Sequence, residues 1–303
     1  MTRYLDPKAD VVFKKIFGEH PHLLKSFLNA VLPLPEDGQI VELVYLSNEQ
    51  TPKIPALKRT IADVRCTDQQ GRVFIVEMQI EWTDSFKQRL LLESGQALVK
   101  QLKDGEHYKL LKPVYGLGLI AAKFDPTNCW YHHYQLVNLD RSPREVIEHL
   151  QLVFIELPKF PVHSPQEKKL RLLWLRFMRE INRSTTIAPE EFNAVPEIKE
   201  ALHLAEEAAY TDGELESYER YLDAVRTEKT LLIGRYEEGL AKGIEQGITQ
   251  GITQGIEQGV KTGEQQARES VALKMLASGL PLAVISECTR LPLAEIQKLQ
   301  VES

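Results

Sequence analysis

Apolar positions along the first thirty residues keep helical time. Val12, Phe13, Ile16, Phe17, Leu23, Leu24, Phe27, Leu28 and Val31 recur at the spacing of one helix face. They predict a helix over residues 8–31, which Pro33 and Pro35 end. Residues 39–46 read as a strand. Over residues 59–81 the period changes to two, with β-branched residues on either side of Asp68-Gln69-Gln70-Gly71, which is a hairpin signal. Residues 83–103 return to a helical pattern that stops at Gly105. Residues 114–121 form a short continuous apolar run, as a strand buried on both faces does. Further strands are expected at 131–137 and 152–157. The order α-β-β-β-α-β, with extra strands after it, predicts an α/β class with a mixed sheet.

The hairpin pattern selects its own register. With Gln69-Gln70-Gly71 as a three-residue loop, Gly71 takes the left-handed bulge position. Asp68 then pairs with Arg72, Cys66 faces Phe74, Val64 faces Val76 and Ala62 faces Met78, all on one core face. On the other face Arg65 meets Ile75, Asp63 meets Glu77 and Ile61 meets Gln79. A slip of one residue would mix charged and apolar side chains on both faces.

From about residue 164 the pattern is almost wholly helical. Residues 167–183 place Leu170, Leu173, Phe177 and Ile181 on one face and carry Lys168, Lys169, Arg171, Arg176, Arg179 and Arg183. That basic run reads either as a solvated face or as a face for DNA. Residues 189–228 are acidic instead. Then glycines 239, 243, 247, 251, 255, 259 and 263 recur every fourth residue, and Leu240, Ile244, Ile248, Ile252, Ile256 and Val260 follow the first six of them one residue later. Glycine costs up to ~1 kcal/mol per helical position relative to alanine. The repeat therefore reads as a helix that needs a partner helix, or as a flexible tether. Its glutamines and glutamates are too polar for lipid. Residues 267–301 predict three short helical stretches with stops at Gly279 and Pro292, either a helix-turn-helix-like unit or a small oligomerisation cap. Four regions are expected: 1–163, 164–232, 233–266 and 267–303.

Composition narrows the classes. The chain has 303 residues, 43% hydrophobic and 26% charged, with a net charge of −6. It reads as soluble and globular, without a membrane span or a leader, and cytoplasmic localisation is expected. Cys66, Cys129 and Cys288 lie too far apart for a disulfide framework or a CxxC zinc site. Neither a G-x-S-x-G elbow nor a P-loop occurs. In Cys129-Trp130-Tyr131-His132-His133 the two histidines point to opposite faces of a strand, which argues against a joint metal site.

The candidate chemistry lies in the hairpin. The expected register sets Asp63 and Glu77 opposite one another, with Cα atoms about 4.5–5.5 Å apart. Like charges there destabilise a sheet, so a divalent cation is one explanation and a solvated acidic face is the other. Mg²⁺ takes one or two carboxylates and fills its octahedron with water and phosphate oxygens. Gln79 follows two residues beyond Glu77 on the same face, where its amide can orient water or a phosphate oxygen.

Asp63 on one strand, Glu77-x-Gln79 on the next, and the α-β-β-β-α-β order together resemble the PD-(D/E)xK nuclease core. Asp6-Pro7, Asp10-Val11-Val12-Phe13-Lys14-Lys15-Ile16-Phe17-Gly18, Gly105-Glu106-His107-Tyr108, Leu111-Lys112-Pro113-Val114-Tyr115 and the glycine tetrads resemble the Rpn group of recombination-promoting, transposase-like nucleases. The resemblance covers roughly residues 4–160. It implies a restriction-endonuclease-like core, a mixed central sheet flanked by helices, followed by an all-helical C-terminal region. It also implies a Mg²⁺-dependent DNA endonuclease that promotes recombination, with Asp63 and Glu77 as metal ligands and Asp63, Glu77 and Gln79 as catalytic residues. Asp10, Lys14 and Arg89 are candidates for support or phosphate contact, and DNA and a second copy of the chain, joined through the C-terminal helices, are the implied partners. Two positions depart from the motif: Ala62 stands where the proline would, and Gln79 stands where the lysine would. The second removes a cation, so a catalytically weak or inactive DNA-binding or assembly protein is the alternative. On this reading Gln79→Lys keeps or raises activity.

Overall fold

A computed structural model of the chain describes residues 2–46, 64–103, 105–141, 143, 145–161 and 169–302. Within it the hairpin forms in the expected register. Strand β2 (Val64–Asp68) pairs antiparallel with β3 (Val73–Gln79), setting Val64 opposite Val76, Arg65 opposite Ile75 and Cys66 opposite Phe74. Gly71 has φ 78°, the left-handed conformation that the loop needs and that glycine adopts without a Cβ penalty. Asp68 closes the turn, accepting from the Gln70 and Arg72 amides and holding the buried Arg72 guanidinium at 2.6 Å. The continuation of the register to Ala62, Asp63 and Ile61 lies outside the described residues.

Strand β1 (Leu43–Tyr45) adds to β2, β4 (Val114–Ile120) runs parallel to β3, β6 (Val146–Glu156) runs parallel to β4, and β5 (Tyr131–Val137) closes the far edge antiparallel to β6. The six-stranded order is β1-β2-β3-β4-β6-β5. This is the mixed sheet expected, with the parallel strands central and covered on both faces.

Helices α1 (Asp10–Phe13), α2 (Pro21–Val31), α4 (Lys169–Glu180) and α5 (Pro196–Leu204) cover one face. There Phe74, Val76 and Met78 share a core with Phe17, Phe27, Trp174 and Phe177. Helix α3 (Phe86–Val99) covers the other face, where Ile75 meets Phe86, Leu90 and Phe154. The helical residues expected after 164 thus pack on the core of the sheet.

Three elements differ from the pattern, the first two for a local reason. The expected helix over residues 8–31 breaks in two. Pro21 pushes His20 out of the helical region, to φ −120° and ψ 87°, after a π-helical turn at Lys14–Gly18. The strand expected at 39–46 shrinks to three residues because the Asn29 side chain bonds both the N–H and the C=O of Ile40, at 2.8 and 2.9 Å. Strand β6 begins six residues before the expected position.

The described chain divides into two compact units, residues 1–229 and 230–303. Helix α6 (Asp212–Ala277, 66 residues) contributes to both. In the second unit, the end of α6 with α7 (Leu282–Thr289) and α8 (Leu293–Glu302) builds a small core of Ala272, Ile285, Leu291 and Ile296. Gly279 (φ 74°) and Arg290 (φ 60°) make the two turns. No helix among the described residues is long and apolar enough to cross a membrane.

Candidate active site

Glu77, Gln79 and Arg89 come together beneath α3. Strand alternation puts Glu77 and Gln79 on the α3 face of β3, beside Gly118 and Ile120 of β4. Gly118 sets how near the helix lies. A Cβ there would stand 2.8 Å from the Phe86 ring and 3.0 Å from Phe154. With hydrogen in its place, α3 sits low enough for Arg89, just past Phe86, to reach the strand.

The Glu77 carboxylate is buried, and Arg89 Nε lies 3.6 Å from its Oε2. Arg89 Nη2 donates to Gln79 Oε1 at 2.7 Å, and Gln79 Nε2 donates to the Glu81 carbonyl at 2.7 Å. The guanidinium also stands 5.0 Å from the centre of the Phe86 ring. A carboxylate removed from water requires an opposing charge, and Arg89 supplies one. One helical turn further on, Glu93 reaches back to Arg65 of β2 at 3.6 Å. Helix and hairpin are thus joined by two ion pairs of opposite sense.

The other expected site residues divide differently. Asp10 of α1 and Lys14 of the π-helical turn that follows it pair with each other, at 2.8 Å and one turn apart. The start of α6 stands near them: the Tyr221 hydroxyl is pushed upward in pKa, first by burial and then by the carboxylates of Asp6 and Asp10. Lys229, near the end of the first unit, lies 3.9 Å from the Glu81 carboxylate. Asp63 lies outside the described residues.

Four arginines of the basic run at 167–183 are engaged within the chain, and Lys168 lies outside the described residues. Arg171 donates to the Ala30 carbonyl, Arg176 pairs with Glu180 and Glu191, Arg179 bonds the Phe160 carbonyl, and Arg183 pairs with Glu219. Arg176 is buried among its partners, while Arg183 pairs at the surface.

A second polar cluster escapes the sequence patterns. The buried Glu156 carboxylate, at the end of β6, accepts from Lys159 Nζ at 2.8 Å and the Phe124 amide at 2.9 Å, and His132 Nε2 stands at 2.8 Å. Burial alone raises its pKa, but Lys159, the Phe124 amide and His132 outweigh that and hold it below the usual carboxylate value. His133 turns the other way, to Gln151. The opposed histidines are as expected. The glutamate between His132 and Lys159 had no signal, because His132 and the Phe124 amide are distant from it in sequence although Lys159 is three residues away.

The Gln79 amide oxygen already accepts from Arg89 Nη2, so the donors at the centre of the site are the two hard oxygens of the Glu77 carboxylate. They fit a Mg²⁺-type cation, which takes few protein ligands and keeps its waters. Among the described residues no cluster of three histidine, cysteine or acidic side chains forms a richer cage. Neither the curated proteins nor the solved structures searched gave a match. A family model does match, over residues 7–233. Its extent takes in the whole sheet, α1 to α5 and the start of α6, and by that match the chain belongs to the PD-(D/E)XK nuclease family transposases.

Proposed function

We propose that the chain is a divalent-metal-dependent DNA endonuclease that promotes recombination and acts in the cytoplasm. The observation that carries this reading is the buried Glu77, two residues before Gln79, on a central strand of a chain belonging to a nuclease family. Glu77 would hold the cation together with Asp63, which the sequence register sets opposite it. When bound, that cation supplies Lewis acidity and a water of lowered pKa. Gln79 acts through its amide, whose oxygen holds Arg89 beside the motif. At the α3 side Trp82 stacks on Phe124 and meets the Phe86 ring edge-on. Asp10 and Lys14 are support and phosphate contacts of lower rank, since each already has the other as partner.

The decisive experiment is nicking of supercoiled plasmid with Mg²⁺, with EDTA, and with Glu77→Gln. Metal-dependent nicking by the parent and none by the variant is the expected result. DNA binding without nicking would leave the second reading, a non-catalytic DNA-binding or assembly protein. The uncharged Gln79 favours that reading. A cellular recombination assay of parent against Glu77→Gln tests the biological role.

The same proposal assigns the four regions 1–163, 164–232, 233–266 and 267–303 to nuclease core, helical support, tetrad helix and tail. It makes the protein a homo-oligomer through its C-terminal helices.

A further inference from the structure

We infer that Arg89 supplies the positive charge that the motif's third position lacks, and that Gln79 is its positioning residue. The inference rests on the nuclease reading above and goes beyond it: the cation has moved from strand to helix.

The geometry has four parts. Gln79 has an amide where a charged side chain would serve the phosphate. Its Nε2 is committed to the Glu81 carbonyl, so its Oε1 is turned toward α3. Arg89 Nη2 binds that oxygen at 2.7 Å while Nε stands 3.6 Å from Glu77. The guanidinium therefore lies beside both motif residues of β3. The Phe86 ring at 5.0 Å and the Arg65–Glu93 pair one turn on fix the helix that carries it.

The chemistry suits the place. A guanidinium is planar, always charged, and presents five donors in a fork that matches phosphate oxygens. Nε and one N–H of Nη2 face Glu77 and Gln79, and the fork has further donors for a phosphodiester. A lysine at position 79 would bring an ammonium to hydrogen-bond distance of this guanidinium. Two cations would then compete for the same carboxylate. Gln79→Lys, which the motif alone presents as a repair, is therefore a disruption here unless Arg89 is neutralised as well.

The test uses the full chain as parent, Arg89→Met, Arg89→Lys, Gln79→Lys and the exchange Gln79→Lys with Arg89→Gln. Each is measured for plasmid nicking in Mg²⁺ and for thermal melting in EDTA. Arg89→Met is expected to lower kcat about 10²-fold or more, the scale of removing one preorganised donor, and Arg89→Lys to recover part of that loss. Gln79→Lys alone is expected to melt lower than the parent in EDTA and to cut more slowly. The exchange is expected to regain both the melting temperature and most of the rate, which a merely structural role for Arg89 does not produce.

A folded Gln79→Lys that cuts as fast as the parent or faster overturns the inference. So does a folded exchange variant no faster than the slower single variant. If the parent cuts, Glu77→Gln does not and Arg89→Met is unimpaired, this inference fails and the nuclease reading stands. If the parent cuts no DNA with Mg²⁺ or Mn²⁺, the nuclease reading fails and takes this inference with it.

Discussion

At Glu77 the balance of charge differs from the one the alternating sequence suggests. Two opposed carboxylates alone would make Glu77 a stability cost, and its removal a gain. With Arg89 Nε 3.6 Å away in a buried setting, the carboxylate also satisfies a cation. Glu77→Gln is therefore expected to abolish nicking and to lower stability by about 1–3 kcal/mol, the scale of leaving a buried polar partner unsatisfied. Urea denaturation in EDTA measures it, and an unchanged midpoint would show the pair to be energetically idle. Glu156 gives a pH prediction. Its pKa in the folded chain lies below the unfolded value because Lys159, the Phe124 amide and His132 outweigh burial. Its contribution is thus fully present above the unfolded carboxylate value and is lost as pH falls through the folded one. Glu156→Gln is expected to flatten the acid limb of a melting-temperature profile while lowering stability at neutral pH; an acid limb as steep as the parent's would contradict it. Cys66 is pushed up to about 12, first by burial and then by Asp68. Its thiol should stay unreactive toward a thiol reagent in the native chain while the exposed Cys129 and Cys288 react. The face that Glu77 and Gln79 share was readable in the sequence because strand alternation is local, whereas Arg89 was one of several polar groups on the following helix. Glu93 on Arg65 and Glu156 on His132 were not readable, since nothing local says which helix face or edge strand lies opposite.

Among the elements, the hairpin was the most legible. A period of two allows one register, and the bulge glycine at 71 fixes the loop, so Val64–Val76 and Cys66–Phe74 could be paired by counting. The first helix was less legible because its apolar face continues through a backbone break at His20-Pro21 that the pattern of side chains does not register. Strand β4 held a signal that periodicity passes over: Val-Tyr-Gly-Leu-Gly-Leu-Ile looks like a buried strand with two weak positions. In the fold those glycines set the height of α3. A Cβ at Gly116 would meet Ser94 Oγ at 2.5 Å, and one at Gly118 would meet Phe86 at 2.8 Å. Gly118→Ala is expected to destabilise by about 1–3 kcal/mol, as overpacking does. It is also expected to lift Arg89 from Glu77, so nicking should fall further than stability explains. Titrating urea against activity below the unfolding transition separates the two effects. A variant that loses stability but cuts at the parent's rate would show that helix height does not govern the site.

Over the whole chain, the sharpest open contrast is between a well-packed first unit and a long helix with little of its own to hold it. Leu240, Ile244, Ile248, Ile252, Ile256 and Val260 are each more than half exposed, and a Cβ on any tetrad glycine would meet nothing within 4 Å among the described residues. Glycine's helix penalty, up to ~1 kcal/mol at each position, needs an offset that the chain's own contacts do not show. Burial of one exposed Leu or Ile contributes about 1.5–3 kcal/mol, so a second copy laid along this stripe can supply it. The bare glycines then let the two backbones approach. Gly247→Ala with Gly251→Ala distinguishes that pairing from a tether. In both cases the methyls meet no clash inside the chain, so helicity by circular dichroism is expected to rise. With pairing, the same methyls intrude between the two helices and weaken self-association. The parent is expected to sediment as an oligomer and the double variant to dissociate at lower dilution. A chain ended at Tyr236, which retains the whole core of the first unit, is expected to run as a folded monomer. Three monomers would assign the tetrads to a tether. An oligomer that persists after truncation would place the contact in the first unit, away from the glycine stripe.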